Sequence, residues 1–255
     1  MAFTQVIRSS LAASPASHPQ LAIWCTGGPV ILLGILALTG WALDIPALTR
    51  KLPGQATMKS NTAVTLVMAG VGLLGLSRLT PRRWAVRAPA AVVLAIAAAT
   101  LVEYGSGADL GIDERLFRDL AAVRQLHPRR MAIATAVALL FTGMAMVLVS
   151  LPIRNRVAQA AWRVCIAAIL TIGALSVLGD LLNVVVLHAW SPFSSVALPT
   201  AVAIVLLGWG LRIAGRRVWP PQPLDEDERI TQAAAFALAL VAGVTAVEPP
   251  SAGAA

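Results

Sequence analysis

Glu103, Tyr104, Asp113 and Asp180 are the residues of this sequence best placed to recognise a ligand, since three stand at the end of an apolar run and Asp113 lies in the long polar connection 103–129 that follows one of them. Ionisable groups at such depths face a bundle interior and pair with something. Glu103 and Asp180 follow Arg87 and Arg163 by 16 and 17 residues, or roughly 25 Å of helix. That spacing puts both carboxylates at the far edge of a membrane core. Asn61, Thr62, Thr135 and Thr200 fall one layer further in, so the expected site is an outward-facing mouth lined by acids, a phenol, an amide and hydroxyls. The competing reading of 103–129 is a solvated, salt-bridged amphipathic segment. Metal chemistry is not expected: His127 and His188 share no helix face, His18 lies in the N-terminal tail, and Cys25 and Cys165 begin separate apolar runs as core fillers. With no phospho-acceptor helix, nucleotide-binding glycine box, cyclase motif or convergent His/Asp/Ser set, the chain is expected to be catalytically silent and to hold no cofactor.

Those residues need a scaffold, and the composition identifies its solvent. Of 255 residues, 58% are hydrophobic and 13% charged, against about 25% charged in a soluble domain. The apolar runs reach roughly 20 residues, enough to cross a hydrocarbon core about 30 Å thick. In lipid the backbone must satisfy its own hydrogen bonds, so such runs become helices. Expected spans are 21–43, 60–77, 86–104, 131–152, 161–179 with an extension as far as 187 left open, 195–214 and an Ala-rich 230–247, giving an all-α integral membrane protein of about seven helices. Residues 1–20 are then a disordered or interfacial tail, 21–215 a six-helix membrane domain, 216–229 a linker and 248–255 a tail. The acidic run Asp225–Glu228 reads as part of the solvated linker. Of the 20 lysines and arginines, 12 fall on one side of the spans and 8 on the other. The positive-inside rule puts the N-terminus and the first side in the cytoplasm. The net charge of +8 comes from arginine clusters at span ends, so the partner it implies is a lipid bilayer and not nucleic acid.

The even-numbered spans share a pattern. Each opens with Thr-Ala-Val, at Thr62, Thr135 and Thr200. Eight residues on stands Gly70, Gly143 or Gly208, and ten residues on Gly72, Ala145 or Gly210. Lipid tails do not drive helices together, so small residues that let backbones approach are the expected packing faces. The odd-numbered spans end in Asp44, Glu103 and Asp180. The expected unit is a helical hairpin, repeated three times in pseudo-threefold order.

The stretch Leu52-Pro-Gly-Gln-Ala-Thr-Met-Lys-Ser-Asn-Thr-Ala-Val64 resembles the first conserved hairpin of multi-span sensor regions. In bacterial signalling proteins these precede histidine kinase, diguanylate cyclase and PAS modules. Glu103-Tyr104 with Gly107-Ala-Asp-Leu-Gly-Ile-Asp-Glu-Arg-Leu-Phe-Arg-Asp119 is similar to their second signature. Pro128-Arg-Arg-Met131 and Pro192-Phe-Ser-Ser-Val-Ala-Leu-Pro-Thr-Ala-Val202 resemble the turn and third signature that follow. The resemblance covers about 20–215. It implies a sensory input domain of the bacterial inner membrane, with a separate kinase or cyclase subunit, or a second copy of the chain, as partner. A small-solute permease or channel and a lipid-acting membrane enzyme are the alternatives.

Overall fold

The computed structural model describes residues 19–43, 45, 58–78, 83–107, 131–152, 155–182 (181 and 182 by backbone alone) and 196–219. Every element among them is an α-helix: α1 Pro19–Ala42, α2 Ser60–Gly75, α3 Arg83–Ser106, α4 Ile133–Ser150, α5 Arg156–Leu182 and α6 Leu198–Val218. All but α2 are long and apolar enough to cross a membrane. With 16 residues, α2 rises about 24 Å and falls short of the hydrocarbon core. The expected seventh span, 230–247, lies outside the described residues, as do Asp44, Asp113 and the rest of the segment from 108 to 130.

Local chemistry sets the helix ends. Pro19 opens α1 and Pro199 sits in the first turn of α6, where a missing N–H costs no hydrogen bond. Asn155 caps α5, its Oδ1 accepting the Ala158 N–H at 2.8 Å. That cap starts α5 at Arg156, ahead of the apolar run that begins at 161. Gly107 closes α3 with φ +70°, and its N–H donates to the Glu103 carbonyl at 3.0 Å, a left-handed cap that glycine adopts without strain.

The helices form a closed ring. Each packs on the next in chain order, and α1 packs on α6. In addition α2, α4 and α6 pack on one another, so they are the inner helices and α1, α3 and α5 the outer ones. Burial agrees: 56% of the span in α4 and in α6 is enclosed, against 28–33% in α1, α3 and α5. Leu66, Leu73, Leu139, Met146, Ile204 and Leu211, all on the inner helices, are fully buried. Large apolar side chains left exposed on the outer helices, such as Trp24, Leu32, Val102 and Val164, present the surface that lipid would cover.

Close approach between α1 and α2 depends on four small residues in antiparallel register. Gly27 lies against Gly70, and Gly34 against Ala63. A Cβ on Gly70 would come within 3.1 Å of the Gly27 carbonyl oxygen, and one on Gly34 within 2.8 Å of the Ala63 oxygen. Between α3 and α4, Gly143 faces Leu94 and the Ala90 carbonyl; between α5 and α6, Gly208 faces Ile169 and Leu170, and Gly173 faces Val205. Gly70, Gly143 and Gly208 therefore each meet the outer helix that precedes them in the chain. The second small positions turn elsewhere. Gly72 meets Met146 of α4 and Pro89 of α3, and Gly210 meets Leu73 of α2 and Thr26 of α1. Ala145 is fully buried.

One end of the bundle gathers the C-termini of α2 and α4, where last-turn carbonyls lack helical partners. Arginines from other helices satisfy them. Arg217 Nη1 donates to the Ser77 oxygen at 3.1 Å. Arg87 Nη2 donates to the Ser150 oxygen at 3.3 Å, and its Nε to Ser150 Oγ at 3.3 Å. Cations at helix C-termini also complement the macrodipole. This is the arginine end; among the described residues both acids, Glu103 and Asp180, lie at the other.

Candidate functional site

At the end opposite the arginines, the first turns of α2, α4 and α6 carry Asn61, Thr62, Thr135 and Thr200, each at most 3% exposed. These three helices pack on one another, so the four residues lie as a buried polar layer in depth, at one end of the bundle. The helix starts there bear no acidic residue in the first turn and no side-chain cap at Lys59, Ala132 or Ala197. Their leading N–H groups and positive dipole ends favour an acceptor or an anionic group.

Glu103 occupies the last turn of α3 and is fully buried. Its helix packs on α2 and α4, which puts the carboxylate on the helix flanking two members of that layer. One turn earlier Thr100 is buried as well, its hydroxyl donating to the Ile96 carbonyl at 3.0 Å. A carboxylate enclosed at this depth is costly unless paired. The layer can therefore offer a bound group hydrogen-bond donors from three helix starts and one carboxyl from the side.

The remaining expected residues divide. Tyr104 is half-buried, and its hydroxyl donates to the Met131 carbonyl at 3.0 Å, joining the end of α3 to the approach of α4. Asp180 is half-buried in the last turns of α5. That helix packs on α4 and α6, so α4 stands between the two carboxylates. Asp113 lies outside the described residues.

Sequence reasoning passed over Trp41. Its Nε1 donates to the Met58 carbonyl at 2.8 Å, across the α1–α2 hairpin, and Met58 and Met131 both stand four residues before a Thr-Ala-Val threonine. The two bonds are the same clamp made by different aromatics, and the shared methionine was the available signal. Removing one such bond from a partly buried pair costs about 0.5–1.5 kcal/mol. Tyr104→Phe and Trp41→Phe are each expected to lower unfolding stability in detergent by that amount. Hydrogen exchange should quicken at the start of α4 in the first variant and of α2 in the second; unchanged exchange at both would remove the clamp.

Comparison of the chain with protein-family models, with curated proteins and with solved structures returns no match.

Proposed function

We propose that this chain is a membrane-embedded sensory input module of a bacterial signalling system, without catalytic activity of its own. In this reading the six described helices are three copies of one hairpin in pseudo-threefold order. The arginine end faces the cytoplasm of the inner membrane, and 230–247 supplies a seventh span. The observation that carries the reading is the buried carboxyl of Glu103 beside the buried Asn61, Thr62, Thr135 and Thr200 at one end of the bundle. The deeper Thr65 and Thr142 hydroxyls instead donate to carbonyls of their own helices. A ligand engaging the polar layer at that end would act on the starts of all three inner helices at once.

The hairpin pattern supports it. Ala63, Ala136 and Ala201 are all fully buried. The inner-helix side chains four residues past the threonine (Leu66, Leu139, Ile204) and eleven past it (Leu73, Met146, Leu211) are fully buried in every copy. In the threefold reading those positions form rings of three across the interior. A permease would sooner build its site from broken helices at mid-depth, where this bundle has packed leucine, isoleucine and methionine and the buried hydroxyl of mid-α4, Thr142, donates to its own helix at Ala138.

The test is complementation in the source bacterium. Loss of the chain is expected to change cellular cyclic-di-GMP or response-regulator phosphorylation. The full chain should restore the level, and Glu103→Gln, inserted in the membrane in equal amount, should not. No change on loss, together with solute uptake by proteoliposomes of the purified chain, would replace this reading with the permease one.

A further inference from the structure

At the arginine end a cavity of about 870 Å³ opens among the ends of five helices, within the range of small-ligand sites. Its walls carry three guanidinium-bearing residues, Arg78, Arg83 and Arg217, above an apolar floor that includes Val86, Val149 and Ala214. Pro19 and Gln20, the first residues of α1, and Arg83, the first of α3, also line it. Two positive helix ends therefore join the three cations. Among the described residues that line it, none is acidic.

Arg217 is the informative member. Its Nη1 is committed to the Ser77 carbonyl, while its Nε and Nη2 are enclosed and have no hydrogen-bond partner. Those two nitrogens form the side-on edge of the guanidinium, the fork that matches two oxygens of one phosphate or carboxylate. Leaving a charged donor pair unmet is expensive, and the adjoining cavity has the room to supply the missing acceptor. Helix capping explains Nη1 but not this edge, and it explains neither Arg78 nor Arg83. Their side chains are exposed and no hydrogen bond to them is recorded among the described residues.

We propose that this cavity binds a phosphate-class oxyanion, held by the Nε/Nη2 edge of Arg217 after a side-chain rotation and by Arg78 and Arg83 from the rim. The same chemistry is offered by an anionic phospholipid headgroup, whose glycerol would meet the apolar floor, and by a free phosphate group. Basic pockets between membrane helices commonly serve headgroups.

The experiment uses the purified full chain in nanodiscs in phosphate-free buffer, read by thermal unfolding. One arm exchanges phosphatidylcholine for a mixture with phosphatidylglycerol; the other titrates inorganic phosphate into the phosphatidylcholine discs. A rise in midpoint in either arm is expected, and the responding arm identifies the source. Arg217→Gln, and separately the rim pair Arg78→Gln with Arg83→Gln, should weaken apparent binding about tenfold or more. Arg212→Gln, at a cation that lies 5.3 Å over the Trp209 ring and does not line the cavity, should leave it unchanged. If Arg217→Gln fails to fold, the exposed rim pair still decides. Silence in both arms overturns the proposal. A response that survives the rim-pair substitution does so too.

Discussion

Gly34→Ala is expected to destabilise the bundle by about 2–3 kcal/mol, the upper part of the usual range for overpacking. The added methyl would lie 2.8 Å from the Ala63 carbonyl oxygen, 3.2 Å from the Val67 nitrogen and 2.6 Å from Val67 Cγ2. Two of those three atoms are backbone, so no rotamer change makes room and α1 must move away from α2. In lipid that movement is costly, because association depends on the van der Waals contact that it breaks. It would also disturb the Gly27–Gly70 approach two turns along the same interface. Gly28 supplies the control: a Cβ there meets nothing within 4 Å, so Gly28→Ala should stay within about 0.5 kcal/mol of the parent. Adding Val67→Ala to Gly34→Ala should restore only part of the loss, because it removes Cγ2 and leaves the carbonyl oxygen. Equal stability of the Gly34→Ala and Gly28→Ala proteins, measured by unfolding in mixed detergent micelles, would show that α1 and α2 are not in close contact.

The contrast between those glycines indicates what the sequence could and could not disclose. Apolar run length located the six described helices, because a run of that length has few other options in lipid. It missed the first turn of α5, where Arg156 and Gln159 depress hydropathy while the Asn155 cap extends the helix. It placed α2 correctly from 60 but made it two residues too long. Gly70, Gly143 and Gly208 stood out because they share a position relative to a threonine. Gly34, Gly173 and Gly215 carry no such marker; their importance depends on which residue of another helix stands opposite, and antiparallel register is not written in either helix alone. The site divided in the same way. Asn61, Thr62, Thr135, Thr200 and Glu103 are polar residues in apolar surroundings, so burial could be anticipated from type and depth. Tyr104 looked identical by that criterion, yet its hydroxyl is used by a carbonyl that only the folded hairpin brings near. Arg87 and Arg217 read as topology signals, and their carbonyl partners 63 and 140 residues away could not be inferred from charge.

Gly215→Ala is expected to be the most disruptive single methyl addition at the arginine end. Its Cβ would overlap the six-membered ring of Trp162 at Cζ2 and Cε2 and stand 2.8 Å from Cη2. A methionine can swing its terminal methyl aside, as Met146 can at Gly72, but an indole moves as one rigid plate. Trp162 is only 6% exposed and stacks at a tilt on Trp219, with ring centroids 5.4 Å apart. Displacing it therefore disturbs the α5–α6 contact and the end of α6 together, two residues from the Arg217 that caps Ser77. A loss of about 3 kcal/mol follows from overpacking against a residue that cannot yield. Trp162→Leu alone should also destabilise, by roughly 2–4 kcal/mol, because it opens a cavity in the same place. The double variant is the decisive measurement. The alanine methyl would occupy part of the space the indole vacates, so the two losses should fall short of additive by 1 kcal/mol or more, the coupling typical of residues in direct contact. Strict additivity would mean that Trp162 does not rest on Gly215. Then the close packing of α5 on α6 would have to rest on Gly173 and Gly208, and Gly173→Ala would become the costlier change.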